Sequence, residues 1–252
     1  SKLWDVRWPT SDKASRIVYE LNGELRVMDV RDGSDKGIAI TVPTDGGASR
    51  PARISAERNI EGFALSPKGE RALFVARGDV FTVPIEKGPV RNLTNSSGAH
   101  DRQARWSPDG KKIAFISDLS GEDQLYLVDQ DGKGKAEALT SGLAVQLNAP
   151  TWSPDGRRIA FTDKDGVIYV VTVADRKLVQ AAKDEFGRGG DLAWSPDSQF
   201  LAFSLGNANG MRSLHAWGGA DAKLHRLTGD LSSVTDPVWD PEARYLHALS
   251  RR

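Results

Sequence analysis

Trp106-Ser107-Pro108-Asp109-Gly110-Lys111 recurs as Trp152-Ser153-Pro154-Asp155-Gly156-Arg157 and again as Trp194-Ser195-Pro196-Asp197-Ser198. A worn copy, Trp239-Asp240-Pro241-Glu242-Ala243, follows, and Leu65-Ser66-Pro67-Lys68-Gly69 fits the same frame upstream. Trp8-Pro9-Thr10 fits it more weakly. From Leu65 onward the copies are spaced by 41, 46, 42 and 45 residues, whereas the first interval, Trp8 to Leu65, is 57. The Pro/Gly/Thr-rich segment Thr41–Arg53 accounts for the long interval as an insertion. A period of this length in a chain of short strands is that of a β-propeller, one four-stranded blade per repeat.

The chemistry within each repeat agrees. Ser-Pro-Asp-Gly is a tight turn: Pro presets φ, Ser and Asp bond nearby backbone, and Gly accepts positive φ. A strong strand follows each time, as in Lys112–Ser117, Arg158–Thr162, Phe200–Ser204, Arg71–Val75 and Arg16–Glu20. A third comes after a polar turn, as in Gln124–Asp129, Val167–Val173, Met211–Trp217, Asp79–Pro84 and Glu24–Val30. A weaker fourth ends three times in Leu-Thr, at Leu93-Thr94, Leu139-Thr140 and Leu227-Thr228. The Trp and the apolar second strand are expected to fill the space between adjacent blades, because aromatic side chains bury the most area. No stretch keeps a helical period over three turns.

The expected fold class is therefore all-β, a β-propeller of four-stranded blades in a single domain, 1–252, with five complete repeats and a partial sixth. The blades fall at about 1–42, 54–94, 99–140, 146–181, 188–228 and 234–252. The last supplies one pair of strands, so the chain reads either as a six-bladed ring with a stunted blade or as part of a larger propeller. Its exposed edge would template pairing with another chain, so self-association through the incomplete blade is expected.

Composition narrows the function classes. The 252 residues carry 34 basic and 34 acidic side chains, a net charge of zero that gives no electrostatic footprint for nucleic acid or an anionic membrane. There is no Cys, which excludes disulfides, thiolate metal sites and a Cys nucleophile. No apolar run approaches the ~20 residues of a membrane-spanning helix. The N-terminus has neither a signal pattern nor an initiating Met, so a processed or excised piece is expected and cytoplasm and periplasm both stay open.

Gly88-Pro89-Val90-Arg91-Asn92-Leu93-Thr94, Ala99-His100-Asp101-Arg102, and the run from Trp106 through Asp118 to Ser120-Gly121-Glu122 resemble the propeller region of tricorn-type proteases. So do Asp5-Val6-Arg7-Trp8-Pro9, Ile17-Val18-Tyr19-Glu20, Arg77–Pro84 and Asp184-Glu185-Phe186-Gly187. The Trp-Ser-Pro-Asp-Gly repeat is shared with TolB-like propellers and those of prolyl-oligopeptidase relatives. The resemblance implies two propellers ahead of a PDZ domain and a serine-peptidase domain, with the propellers guiding peptides in and products out. It carries over no catalytic residue, because the PDZ-like and peptidase segments are not in this sequence.

No reaction motif stands in what remains. There is no Gly-x-Ser-x-Gly, no His-Glu-x-x-His and no phosphate loop. Asp129-Gln130-Asp131-Gly132 and Asp163-Lys164-Asp165-Gly166 read as hairpin turns rather than calcium loops, since neither is followed by the closing Glu. His215, His225 and His247 fall on strands away from a central channel, and His100 lies in a loop between blades. No cofactor or metal is expected.

Propeller geometry places the inter-blade loops on one face, together with the loops joining second and third strands. These are Arg53–Asn59, Asn95–Arg102, Ser141–Asn148, Ala182–Gly190 and Gly229–Thr235. Loops on a rigid scaffold are where binding sites usually lie. Arg53, Arg58, His100, Arg102, Gln146, Asn148, Asp184, Glu185 and Arg188 would ring that mouth, either as a face for a peptide or protein partner or as ordinary solvated loop residues. The leading expectation is a non-catalytic propeller domain of a tricorn-like peptidase, a substrate gate or docking platform. The alternative is a free-standing TolB-like periplasmic protein-interaction propeller, and an enzyme in its own right comes third.

Overall fold

A computed structural model of the chain describes residues 5–41, 55–186 and 190–251. Arg53, Arg188 and all of the Thr41–Arg53 segment beyond Thr41 lie outside the described residues. The chain divides into two compact units, Ser1–Ile54 and Ser55–Arg252.

The first unit is one antiparallel meander of β1 (Val6–Ser11), β2 (Arg16–Leu21), β3 (Glu24–Asp29) and β4 (Asp35–Gly37), paired in that order. Asn22 and Gly23, both at positive φ, make the tight β2–β3 turn. The structure corrects the frame of this repeat. In the later blades the Trp position pairs with the second residue of the following strand, as in Trp106 opposite Ile113 and Trp152 opposite Ile159. Here that place belongs to Ser11, opposite Ile17. Trp8 stands three residues earlier, at φ +47° and 77% exposed. Gln103, Asp191 and Asp236 hold the same offset at φ +53°, +56° and +54°. The turn residue is Asp12, whose Oδ1 accepts the N–H groups of Ala14, Ser15 and Arg16 at 2.8–2.9 Å.

The second unit holds four four-stranded meanders and a strand pair among its described residues. The first comprises β5 (Ile60–Leu65), β6 (Arg71–Ala76), β7 (Asp79–Pro84) and β8 (Arg91–Asn92). Next come β9 (Arg102–Trp106), β10 (Lys112–Ser117), β11 (Gln124–Asp129) and β12 (Glu137–Ala138). The third is β13 (Leu147–Trp152), β14 (Arg158–Asp163), β15 (Val167–Thr172) and β16 (Leu178–Lys183). The fourth is β17 (Ala193–Trp194), β18 (Phe200–Gly206), β19 (Arg212–Gly218) and β20 (Leu224–Arg226). β21 (Ser233–Trp239) and β22 (Leu246–Arg251) form the pair. No helix among the described residues is long and apolar enough to cross a membrane.

The turn at each first-to-second strand junction is built from the repeat itself. Ser107 Oγ donates to Asp109 at 2.6 Å and accepts the Lys112 N–H at 2.9 Å. Ser153 with Asp155 and Arg158, and Ser195 with Asp197 and Phe200, repeat the pattern. These three serines are buried, so the internal hydrogen bonds satisfy hydroxyls that water cannot reach. In the worn copy Asp240 replaces Ser and accepts the Tyr245 N–H at 2.7 Å.

The fourth strands β8, β12 and β20 are short, and the Leu-Thr pairs fall just beyond them rather than within them, whereas β16 runs six residues. The hydroxyls of Thr94, Thr140 and Thr228 take the backbone N–H of Val80, Leu125 and Leu214, substituting a side chain for the next ladder rung. Apolar clusters lie between consecutive sheets. Leu73, Val75 and Val80 meet Ile113 and Phe115; Ile116 and Leu125 meet Leu147 and Phe161; Ile168 and Val170 meet Leu201 and Phe203. Phe115, Phe161 and Phe203 hold the same place in their strands and are fully buried, each contributing about 1.5–3 kcal/mol. Trp194 is buried at 7% exposure, while Trp106, Trp152 and Trp239 are half-buried, less enclosed than the pattern predicts. The rings stand at the sheet margin, where the indole N–H reaches across: Trp152 donates to Arg105 C=O, Trp194 to Thr151 C=O and Trp239 to Ala193 C=O, at 3.4, 3.1 and 3.0 Å.

Candidate functional site

The inter-blade segments meet the second-to-third strand loops through specific bonds. Gly78, at φ +79° in the β6–β7 turn, accepts the Asp101 N–H at 2.9 Å. A Cβ there would come within 3.2 Å of the Ala99 carbonyl oxygen and 3.3 Å of His100, so the close approach needs glycine. The His100 N–H donates to Asp118 at 2.7 Å, on the next blade's loop. The His100 ring, about half exposed, points its Nε2 to within 3.6 Å of Glu61.

Arg102 is committed to a bidentate pair with Asp123, whose Oδ2 also accepts the Leu147 N–H at 2.9 Å. One arginine thus links its own blade's loop to the first strand of the next. Burial pushes the Asp123 carboxyl up, but the Arg102 guanidinium and the Leu147 N–H prevail and hold it below the usual carboxylate value. Asp184 makes a comparable link one blade on. Its carboxylate is fully buried and takes the N–H of Gly206 at 3.0 Å, the N–H of Phe186 at 3.1 Å and Arg212 Nη2 at 2.9 Å. Burial again opposes ionisation, and these donors outweigh it and lower the pKa.

The other expected face residues stay at the surface or join the framework through backbone. Arg58 is exposed on a short 3-10 turn, Glu57–Asn59. Gln146 is exposed and its C=O accepts the Lys164 N–H at 3.0 Å. Asn148 is half-buried and pairs with Thr162. Glu185 is exposed, 3.3 Å from Lys183 Nζ. The structure therefore joins Arg102 to Leu147, between Gln146 and Asn148, and sets His100 beside Glu61. Asp184 and Glu185 lie on the following inter-blade segment. Glu61, Asp118, Asp123 and Arg212 belong to this arrangement and were not singled out from sequence. Asp118 and Asp123 bracket a polar loop between two strands, which is the only hint the chain gives of them.

The two Asp-x-Asp-Gly segments spend their carboxylates locally. Asp163 Oδ1 accepts the N–H groups of Asp165 and Val167, and Asp131 accepts that of Lys133. Among the described residues no group of three His, Asp or Glu is placed to hold a metal ion. His215 is buried with Nδ1 3.1 Å from Ser213 C=O, and His225 faces Asp221 at 4.0 Å.

Comparison with known proteins agrees with this architecture. The family described as "Tricorn protease second beta propeller domain" matches residues 60–252. A tricorn protease homolog of Saccharolobus solfataricus is 23% identical over 242 residues, covering 96% of this chain and 22% of that protein. The crystal structure of the tricorn protease superposes with a TM-score of 0.70 at 22% identity, over 98% of this chain and 24% of that one. A putative TolB from Agrobacterium tumefaciens gives 0.57 at 16% identity, over 90% of this chain and 77% of that one. This chain spans 22% and 24% of the length of these two tricorn proteins. With four-stranded meanders, repeated Ser-Pro-Asp turns and a family match over more than three quarters of its length, the chain belongs to the tricorn second β-propeller family.

Proposed function

We propose that this chain is a non-catalytic propeller module of a tricorn-type peptidase, holding peptide or protein at the face of its inter-blade loops as a gate or docking platform. The observation that carries the reading is the family match over residues 60–252, since the matched relatives are proteases. The loop geometry favours it. Arg102–Asp123–Leu147 and Asp184–Gly206–Arg212 fasten the loops from below, leaving Arg58, His100, Gln146 and Glu185 as outward groups on a rigid base.

Photo-cross-linking of short peptides to the purified chain tests this directly. Labels are expected on the segments around Arg58, Asn95–Arg102 and Ala182–Phe186. Labels confined to the opposite turns, at Asp109 and Asp155, would overturn the placement. The same preparation is expected to release no product from peptides, esters or polysaccharides. A second reading, a TolB-like interaction propeller, draws on size, since the chain covers 77% of the TolB structure. A peptidase segment in the reading frame past Arg252 would decide for the first, and a stop codon for the second.

A further inference from the structure

The first strands carry a feature that the loop face does not use. Trp152, Trp194 and Trp239 each bond the carbonyl of the residue before the preceding blade's Trp position. The same register assigns Ala64 C=O to Trp106, yet Trp106 Nε1 is buried with no partner. A break in a repeated bond is a local difference that needs a cause. At this break lies a cleft of about 420 Å³, walled by Leu65, Pro67, Trp106, Pro108, Pro150 and Trp152. Arg105 is its only charged lining residue. Its side chain donates to Ala104 C=O at 3.0 Å and makes no ion pair among the described residues. Arg105 also borders a second cleft of about 570 Å³, toward Gly62, Phe63 and Glu61. Phe63, which lines it, is 78% exposed.

We infer that these two clefts are one site for an extended peptide segment with a single acidic residue between apolar neighbours. The acidic side chain pairs with Arg105, one apolar neighbour lies against Trp106 and Pro150, and the other lies against Phe63. Charge and shape select this occupant. Arg102, which also lines the second cleft, is paired with Asp123, so Arg105 is the lining guanidinium without an ion pair among the described residues and matches one carboxylate; guanidinium–carboxylate pairs are among the strongest charge-assisted hydrogen bonds. Glu61 in the second cleft repels another anion, so a phosphate or an acidic run is disfavoured. Arg105 borders both clefts, so the chain continues past it on either side and the carboxylate belongs to a side chain, not to a peptide terminus. Trp106, whose buried N–H lacks a partner, lines the first cleft. The first cleft lies at the Trp106 end of β9, and the second runs along β9 to Arg102 and Glu61, where it adjoins the loop face.

The probe is N-acetyl-Phe-Pro-Glu-Leu-Phe-amide, with the Gln analogue as its neutral partner, titrated into the full chain and followed by indole and backbone N–H resonances. The Glu peptide is expected to bind about tenfold more tightly than the Gln peptide and to shift Trp106 and Trp152. Arg105→Met is expected to weaken the Glu peptide about tenfold and to erase the Glu–Gln difference, while Arg105→Lys retains it. Equal binding of the two peptides, no saturable shift at millimolar peptide, or shifts restricted to Arg58 and His100 would each overturn the inference. Should Arg105→Met fail to fold, the Glu–Gln comparison on the unaltered chain still decides.

Discussion

At the scale of single residues, two side chains separate what packs from what bonds. Trp194 is buried, donates to Thr151 C=O and lies under the Arg158 guanidinium, 5.0 Å from the ring centroid. Trp106 has no acceptor. Trp194→Phe is therefore expected to lower stability by about 1 kcal/mol more than Trp106→Phe in urea unfolding, because only the former removes an indole hydrogen bond. Equal losses would show that the indole bond is worth nothing here. Asp184 gives the pH dependence. Its folded pKa lies below the unfolded value of ~3.9, so its stabilisation is fully present above that value and is lost as pH falls through the folded pKa. Asp184→Asn is expected to cost about 1–3 kcal/mol at pH 7, and the gap from the unaltered chain to narrow as pH drops below about 4. A gap constant from pH 7 to pH 3 would contradict the ion pair. The sequence placed Asp184 and Arg102 on the loop face, but not their partners. Asp123 lies 21 residues from Arg102 and Arg212 lies 28 from Asp184, distances over which no local pattern can register a contact.

Elements show the reverse: their pattern was legible because it is local. Ser-Pro-Asp-Gly is closed by bonds within five residues, so its turn could be read from the six-residue phrase alone. The first repeat was misread because Trp8-Pro9 imitates the phrase, whereas pairing places Ser11 in the Trp position and Asp12 at the turn. The last position of the turn offers a test. Gly110 and Gly156 adopt φ +71° and +70°, while Ala243 is held at +56°. Left-handed backbone costs an L-residue roughly 1–2 kcal/mol, so Ala243→Gly is expected to raise the midpoint of denaturation and Gly110→Ala to lower it. Ser198, at φ +62°, is not a clean third case, because its Oγ accepts the Asp155 N–H at 3.0 Å and ties two blades together. A rise for Ser198→Gly as large as that for Ala243→Gly would show that this tie contributes little.

For the whole molecule, the final strand pair sets up a test of association. β22 pairs with β21 alone among the described residues, and Leu249 and Tyr245 near it are 55% and 64% exposed. An uncovered strand edge invites another chain, so light scattering is expected to show mass rising with concentration. A strict monomer whose β22 amides exchange slowly would show the edge to be covered. The all-β propeller class was readable at this scale because it is written in the spacing of the repeats, and the family because of runs such as Gly88–Thr94. The indole bonds from one blade to the next were not, since their acceptors are carbonyl groups that carry no side-chain identity. Those bonds have an evolutionary consequence. Each indole reaches back by one repeat, 46 to 47 residues where Trp239 and Trp152 do so and 43 where Trp194 does. When units bond only their neighbours, a gene can gain or lose a whole unit and keep every bond in phase. A duplication of half a unit would set each ring against the wrong strand.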